Sequence, residues 1–254
     1  MIEFDRQSLL VTADTDLPLA QLEEQVGAEG FTLNYFAPPD NSALLADALS
    51  RRLPNLYGEA FGGIDDLCLQ VKLSQASGVI YANLKTPRSA AGPSLKKMAI
   101  GAGEWLGIPI QATLRIFPKP VHREYRALAF PGERELEAFE TSLLRLRWGF
   151  PLRARIDEEA LLPWMEGVSL LDRVLGLAWW GEDRAMESEG AALEALAHSR
   201  QGRVLELKPG KDERALAALL HDEALTQQVA RVEAAQAGLP SSHRALESFL
   251  KGGA

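Results

Sequence analysis

The chain has 254 residues, of which 46% are hydrophobic and 24% are charged, and it contains one cysteine. This composition is typical of a globular protein with one large or two modest domains, and it excludes disordered, collagen-like and disulfide-rich chains. The net charge of −8 is spread over both halves: residues 1–120 contain 10 basic and 13 acidic residues, and residues 121–254 contain 17 basic and 22 acidic residues. Because neither half is basic, no nucleic-acid partner is predicted.

The beginning of the chain does not resemble a signal peptide. Its segment MIEFDRQSLL carries acids where a signal peptide has Lys or Arg, and the single Cys68 cannot form an internal disulfide, so a cytoplasmic protein is expected. The longest apolar run, Val174 to Trp180, is about a third of what a spanning helix needs, so no membrane span is predicted.

The first predicted elements alternate between strand and helix. Residues 8–13 (SLLVTA) form a short β-like run, and apolar residues at helical spacing after Pro18 predict a helix that ends near Gly30. A second helix is predicted over 42–53, with Asp40 and Asn41 as candidate N-caps.

A hairpin and a glycine-rich turn follow. Residues 67–73 alternate between apolar and polar side chains, and a Ser-Gly pair separates them from a second β-rich run, which is a hairpin signature. A short helix is predicted over 93–100, and a strand after the turn IGAGEWLG runs into prolines. Pro118 and Pro120 mark the predicted domain boundary.

Downstream of the prolines the predicted order is strand, helix, strand, strand, helix, strand. This βαββαβ order is the ferredoxin-like pattern. We therefore predict an α+β protein with one domain over 1–120 and a ferredoxin-like cap domain over 121–254 that ends in helices. The Ala-rich, charged C-terminal segment fits a solvated closing helix or a helix that docks a partner.

The segment 85–120 contains two glycine clusters, and such turns let the backbone approach a ligand closely. By themselves, Gly101, Gly103 and Gly107 favour a tight helix-to-strand connection over contact with a cofactor. The sequence RSAAGPSLKKM, followed by IGAGEWLGIPIQATLRIFPKP, adds a more specific signal. It resembles the signature of vanillyl-alcohol oxidase-type flavoproteins, the FAD-linked oxidases that include D-lactate dehydrogenases and glycolate oxidase subunits.

The resemblance covers residues ~5–120, because VTADTDLPLAQLEEQVGAEGFTL and the stretch from Tyr57 to Gly78 also follow the family pattern. It implies a truncated FAD-binding domain followed by a cap. It also implies cofactor-binding positions, which are Gly92, Pro93, Gly101, Ala102, Gly103, Gly107 and Ile108.

Two departures from the family pattern argue for weak or absent FAD binding. The chain is expected to begin after the loop that holds the FAD pyrophosphate in the family. A second phosphate-binding turn aligns with Leu44 to Leu49, where its paired glycines are replaced by Leu and Ala and Asp47 adds negative charge. Backbone donors and positive potential are what a pyrophosphate needs.

Side chains suited to catalysis are not evident. His122, His198, His221 and His243 lack metal-ligand spacing and are expected to be solvated, and no metal site is predicted. Arg123, Arg126, Arg153 and Arg155 fall on strands of the cap, where they either bind a substrate carboxylate or face solvent. Cys68 is expected to be a buried structural thiol. Trp179 and Trp180 are expected to point to opposite faces of a strand.

The chain most resembles the smaller FAD-binding subunit of glycolate oxidase. In that family a complete flavoprotein subunit and an iron–sulfur subunit are partners. The leading hypothesis is a remodelled, non-catalytic partner in an assembly that oxidises 2-hydroxy acids. Two alternatives stay open, an active FAD-binding oxidoreductase subunit and a flavin-free scaffold or binding protein.

Overall fold

The structure of the protein is a computed structural model. It describes residues 1–38, 40–86, 94–146, 149–162, 165–166, 169, 172–181, 183–207 and 213–237.

The N-terminal part is a five-stranded antiparallel sheet with short helices against it. Its elements are β1 (Ile2–Asp5), β2 (Leu10–Asp14), α1 (Leu19–Ala28), β3 (Phe31–Thr32), α2 (Leu45–Arg51), α3 (Gly58–Phe61), α4 (Ile64–Leu67), β4 (Cys68–Ser74), β5 (Ile80–Ala82), α5 (Leu95–Ala99), β6 (Ile108–Arg115) and β7 (Phe117–Pro118). The strand order in the sheet is β1-β2-β6-β4-β5, and β3 pairs separately with β7. The predicted hairpin is confirmed as β4 and β5.

One face of this sheet carries the core of the N-terminal part. Leu19, Leu22 and Val26 of α1 are fully buried, since their spacing places them on one side of the helix. They pack with alternate residues of the strands, such as Val71 and Ala112, which face the same side of the sheet. Apolar periodicity therefore determines which surface of α1 meets the sheet.

The C-terminal part is a second antiparallel sheet with helices on both faces. Its elements are β8 (His122–Phe130), α6 (Glu133–Leu146), β9 (Leu152–Ile156), α7 (Glu158–Leu161), β10 (Met165–Glu166), β11 (Arg173–Gly181), α8 (Asp183–Ser199), β12 (Arg203–Leu207) and α9 (Glu213–Ala237). The strand order is β10-β12-β8-β11-β9. Its four main strands have the 4-1-3-2 order of a ferredoxin-like unit, so the predicted α+β class is confirmed.

The two tryptophans of β11 lie on opposite faces of this sheet, as predicted. Trp179 packs in the core on the side of α6 and α8, with Phe139 among its neighbours in that cluster. Trp180 lies on the other face, in the cluster that contains Leu220 of α9. Its ring contacts Tyr57 edge-on, with ring centroids 5.5 Å apart. The second face of the sheet is therefore shared between α9 and the N-terminal part.

Asn55 organises the loop that meets the second sheet. It is 4% exposed. Its Oδ1 accepts hydrogen bonds from the backbone N–H groups of Phe36 (3.0 Å) and Tyr57 (3.1 Å). Its Nδ2 donates to the carbonyls of Asn34 (3.1 Å) and Gly62 (2.8 Å). One side chain thus satisfies four backbone groups in three segments of chain.

Helix α9 is joined to both parts of the structure by two neighbouring glutamines. Gln228 donates from Nε2 to the carbonyl of Asn55 at 2.8 Å. Gln227 accepts from the backbone N–H of Arg155 and donates to its carbonyl, so its amide pairs with strand β9 as another strand would. Strand β9 is an edge of its sheet. Helix α9 packs on the sheet and buries Leu220, as a closing helix does, and the docking of a partner stays a prediction.

Some expectations about local structure were wrong. Strand β1 was not predicted, and α2 begins at Leu45 with Leu44 at its N-cap instead of Asp40 or Asn41. Asn41 is buried and accepts a hydrogen bond from the backbone N–H of Ala37 instead. Across the described ranges, none of the helices combines the length and apolarity that crossing a bilayer would require.

Candidate functional site

Helix α2 lies at the centre of the segments that the family resemblance singles out. Its first backbone N–H groups are directed at the chain that follows strand β2. The N–H of Leu45 donates to the carbonyl of Leu17 at 2.9 Å, and that of Ala46 donates to the carbonyl of Thr15 at 2.8 Å. The donors that a helix start offers to an anion are therefore engaged by backbone carbonyls at these two positions.

The other end of α2 meets the glycine turn. The N–H of Gly101 donates to the carbonyl of Leu49, and the N–H of Gly103 donates to the carbonyl of Ser50, both at 2.9 Å. These two carbonyls lie in the last turn of α2, where helical partners run out. Both glycines have positive φ, 86° and 63°, which lets the turn place its N–H groups against the helix. The N–H of Ala102 donates to the carbonyl of Ala99 at 3.2 Å.

Gly107 and Ile108 connect this turn to β6. Gly107 has φ of 129°, and a Cβ at this position would lie 2.8 Å from the carbonyl oxygen of Ser74. The glycine therefore permits close contact between the turn and β4. Ile108 begins β6 and is 52% exposed.

Five of the seven predicted cofactor positions lie in the glycine turn and at the start of β6. These are Gly101, Ala102, Gly103, Gly107 and Ile108. Gly92 and Pro93 lie outside the described residues. Sequence reasoning missed that the N–H groups of the two turn glycines cap a helix that is distant in sequence, and no sequence motif indicates that pairing.

Two of the cations near α2 are paired within the chain. Asp47 lies in the first turn of the helix. Arg52, which follows the helix, forms an ion pair with Asp65 at 2.5 Å. Lys96 donates from Nζ to the backbone carbonyls of Asp65 (3.1 Å) and Cys68 (2.6 Å). Two of the nearby cations are therefore already engaged by acceptors of the same part of the chain.

The four strand arginines of the cap are also engaged. Three of them form ion pairs, which are Arg126–Glu194, Arg153–Glu59 and Arg155–Glu140. The guanidinium carbon of Arg123 lies 4.9 Å from the ring centroid of Trp180, a cation–π distance. To bind Arg126, Arg153 or Arg155, a substrate carboxylate would have to displace the glutamate that is paired with it.

The histidines have different environments. His198 is exposed, as expected. His221 is instead partly buried and contacts Phe36 edge-on, with ring centroids 5.0 Å apart. Burial lowers the pKa of His221, which favours the neutral imidazole. Among the described residues, no group of three His, Cys, Asp or Glu side chains is arranged to hold a metal ion.

We predict that Cys68 does not react with thiol reagents in the native protein. It is fully buried, and burial raises the pKa of its thiol to about 12, so the nucleophilic thiolate is scarce at neutral pH. With Ellman's reagent, the native chain is expected to release almost no thiolate dye, whereas the chain unfolded in guanidinium releases one equivalent. Ser77→Cys, at an exposed turn position, is the control that should react quickly. Native labelling of Cys68 at the rate of Cys at position 77 would contradict a buried thiol.

Comparison with known proteins identifies relatives of this chain. No protein-family model matches it. The alkyldihydroxyacetonephosphate synthase of Caenorhabditis elegans is 26% identical over 186 residues, 73% of this chain and 30% of that protein. The uncharacterised FAD-linked oxidoreductase YgcU of Escherichia coli K12 is 25% identical over 117 residues, 46% of this chain and 24% of that protein. The relatives indicate an FAD-linked oxidoreductase family.

Further relatives agree with this. The mitochondrial D-lactate dehydrogenase (cytochrome) 1 of Saccharomyces cerevisiae is 22% identical over 144 residues, 56% of this chain and 24% of that protein. Two structures of alkyldihydroxyacetonephosphate synthase superpose on 89% and 86% of this chain, with TM-scores of 0.71 and 0.67 and identities of 15% and 16%. They support the fold.

This chain corresponds to only part of each relative. It spans 30% or less of these curated relatives and 44% and 46% of the two solved chains. The activities of the relatives are therefore properties of longer proteins.

Proposed function

We propose that this chain is a non-catalytic partner in a flavin-dependent 2-hydroxy-acid dehydrogenase assembly of the vanillyl-alcohol oxidase type, resembling glycolate oxidase. We also propose that by itself it binds FAD weakly or not at all. The family support comes from its FAD-linked relatives and from the D-lactate dehydrogenase among them. The observation that carries the proposal is helix α2, which is hydrogen-bonded at both ends within the chain.

A flavin pyrophosphate needs several backbone donors and a positive potential. The donors of Leu45 and Ala46 are bonded to carbonyls, and those of Gly101 and Gly103 are bonded to the end of α2. A phosphate would have to replace these carbonyls and would also meet the carboxylate of Asp47 in the same helical turn. The residues around α2 therefore do not fit a pyrophosphate, and we derive no redox step for this chain.

One feature favours the alternative of an active FAD-binding subunit. Gly103 has no heavy atom of the described chain within 4 Å of where a Cβ would lie, so a ligand has open access to its α-carbon. In that alternative, another subunit supplies the phosphate-binding loop. The flavin-free scaffold is the outcome if no flavoprotein partner exists.

The purified chain is expected to be colourless and to remain flavin-free after incubation with excess FAD and desalting. The measurement is the visible absorption spectrum, with the flavin released by denaturation quantified by fluorescence. The variant Asp47→Asn is the matched test of charge, and it should bind no more FAD because the backbone donors remain engaged. A yellow protein with one FAD per chain would contradict the proposal and support the active-subunit alternative.

The same proposal requires a partner. Affinity purification of the tagged chain from its native host is expected to recover a larger flavoprotein, and the recovered assembly should reduce an artificial electron acceptor with glycolate or D-lactate. Recovery of the chain without any flavoprotein would leave the scaffold alternative in its place.

A further inference from the structure

The end of strand β6 that is far from the glycine turn contains a cleft. Its volume is about 510 Å³. The lining includes four apolar side chains and two cations, namely Leu9, Leu10, Leu69, Phe117, Lys85 and Arg115. Arg115 is the last residue of β6, and it pairs across the sheet with Leu10 of β2. Strand β6 runs from Ile108, beside the glycine turn, to Arg115 at the cleft. At about 3.3 Å per strand residue, the cleft lies roughly 23 Å from the glycine turn.

The two cations of the cleft are not neutralised by the chain around them. Neither Lys85 nor Arg115 has a carboxylate within ion-pair distance in the part of the chain that the structure describes. The charge of Lys85 acts on Asp5, whose carboxylate accepts a hydrogen bond from the backbone N–H of Ser8 at 2.9 Å. Hydrogen bonds from Ser8 lower the pKa of Asp5, and the charge of Lys85 adds to this effect. In a protein with net charge −8, two cations beside one apolar surface form a local site of positive potential.

The rim of the cleft is also strained. Leu9 has φ of 55°, in the left-handed region that residues other than Gly and Asn rarely adopt. Its side chain nevertheless remains 37% exposed in the lining of the cleft. Glycine or asparagine would meet the backbone requirement with less strain. Strain of this kind concentrates at sites that bind ligands.

We propose that this cleft binds a monocarboxylate with a short hydrocarbon or aromatic body. The guanidinium of Arg115 receives the carboxylate through paired N–H donors, and Lys85 adds a second positive charge. The hydrocarbon covers Leu9, which is exposed, and Phe117, which is half-buried, and removes them from water, while the buried Leu10 and Leu69 form the floor of the cleft. A cleft of this volume is within the usual range for small-molecule sites. The site is separate from α2 and the glycine turn, so it does not depend on whether the chain binds flavin.

The proposal is tested by isothermal titration of the purified, flavin-free chain with sodium octanoate. Saturable one-to-one binding is expected, and it should weaken as sodium chloride is raised because the charges are exposed. Two comparison ligands separate the contribution of the charge from that of the hydrocarbon. The alcohol 1-octanol has the same body without charge, inorganic phosphate has charge without the body, and each should bind at least about tenfold more weakly.

Four variants locate the site. Arg115→Gln and Lys85→Gln should each weaken octanoate binding by about tenfold, whereas Arg145→Gln, an exposed arginine of α6, should bind as the parent chain does. Leu9→Asn keeps a residue that tolerates the left-handed backbone but removes the hydrocarbon. It should weaken octanoate binding several-fold without lowering the melting temperature.

The proposal is overturned if octanoate does not bind saturably, if 1-octanol or phosphate binds as tightly, or if Arg115→Gln and Lys85→Gln leave the affinity unchanged. If Arg115→Gln does not fold, Lys85→Gln and the salt series decide the question. None of these results depends on flavin content, so failure here is distinguishable from failure of the proposed function.

Discussion

Replacing Asn55 with alanine is expected to lower the free energy of unfolding by about 3 kcal/mol. The side chain is 4% exposed and bonds four backbone groups, those of Phe36, Tyr57, Asn34 and Gly62. In the variant the carbonyl of Asn34 remains buried without its partner, and the other three groups, which are partly buried, lose theirs. Each buried group left unpaired costs about 1–3 kcal/mol, and local relaxation recovers part of the sum.

The matched control is Asn83→Ala. Asn83 also bonds backbone groups through its amide, accepting from the N–H of Val71 (2.8 Å) and donating to the carbonyl of Leu69 (2.9 Å). It is only partly buried, so water replaces its hydrogen bonds and the expected loss is about 1 kcal/mol. Urea unfolding followed by circular dichroism gives both values. Equal losses for the two variants would show that water reaches the Asn55 loop.

Replacing Gly107 with alanine is expected to cost about 3 kcal/mol, while Gly103→Ala is expected to cost about 1 kcal/mol. Gly107 has φ of 129°, and a Cβ there would lie 2.8 Å from the Ser74 carbonyl oxygen, which is backbone and cannot rotate away. Gly103 has φ of 63° and open space around it, so only the conformational cost applies.

Comparing these two variants tests whether Gly107 is required for packing of the turn against β4, independently of any contact with a ligand. Both substitutions are measured by thermal and urea unfolding of the flavin-free chain, and Gly78→Ala, with φ of 80° and open space, is a control outside the turn. If Gly107→Ala costs no more than Gly103→Ala, then the turn moves away from β4 at little cost, and a purely structural reason for Gly107 would fail.

Much of the fold was predictable because it depends on local periodicity. Leu19, Leu22 and Val26 give α1 its buried side, and the alternation in 67–73 with the Ser-Gly turn gives the β4–β5 hairpin. The strand and helix order after Pro120 gives the ferredoxin-like sheet. Strand β1 was missed because its four residues are too few to show a period.

The candidate site was less predictable, because its bonds join segments distant in sequence. The glycines at 101 and 103 predict a turn, but nothing in the sequence indicates that their N–H groups bond the carbonyls of Leu49 and Ser50. Asn55 is similar, since an asparagine after a proline indicates only a loop. The domain boundary at Pro120 and a cofactor role for the turn remain predictions.

The pairing of Gln227 with strand β9 has a consequence for how this protein meets others. A primary amide offers the same donor and acceptor as a peptide group, so at Arg155 the outermost strand is matched from within its own chain. Open edges invite strand addition, which is a route to aggregation and to non-specific association. A second protein that approaches this side therefore meets the surface of α9 at that position, and it has to be recognised through side chains rather than by extending the sheet.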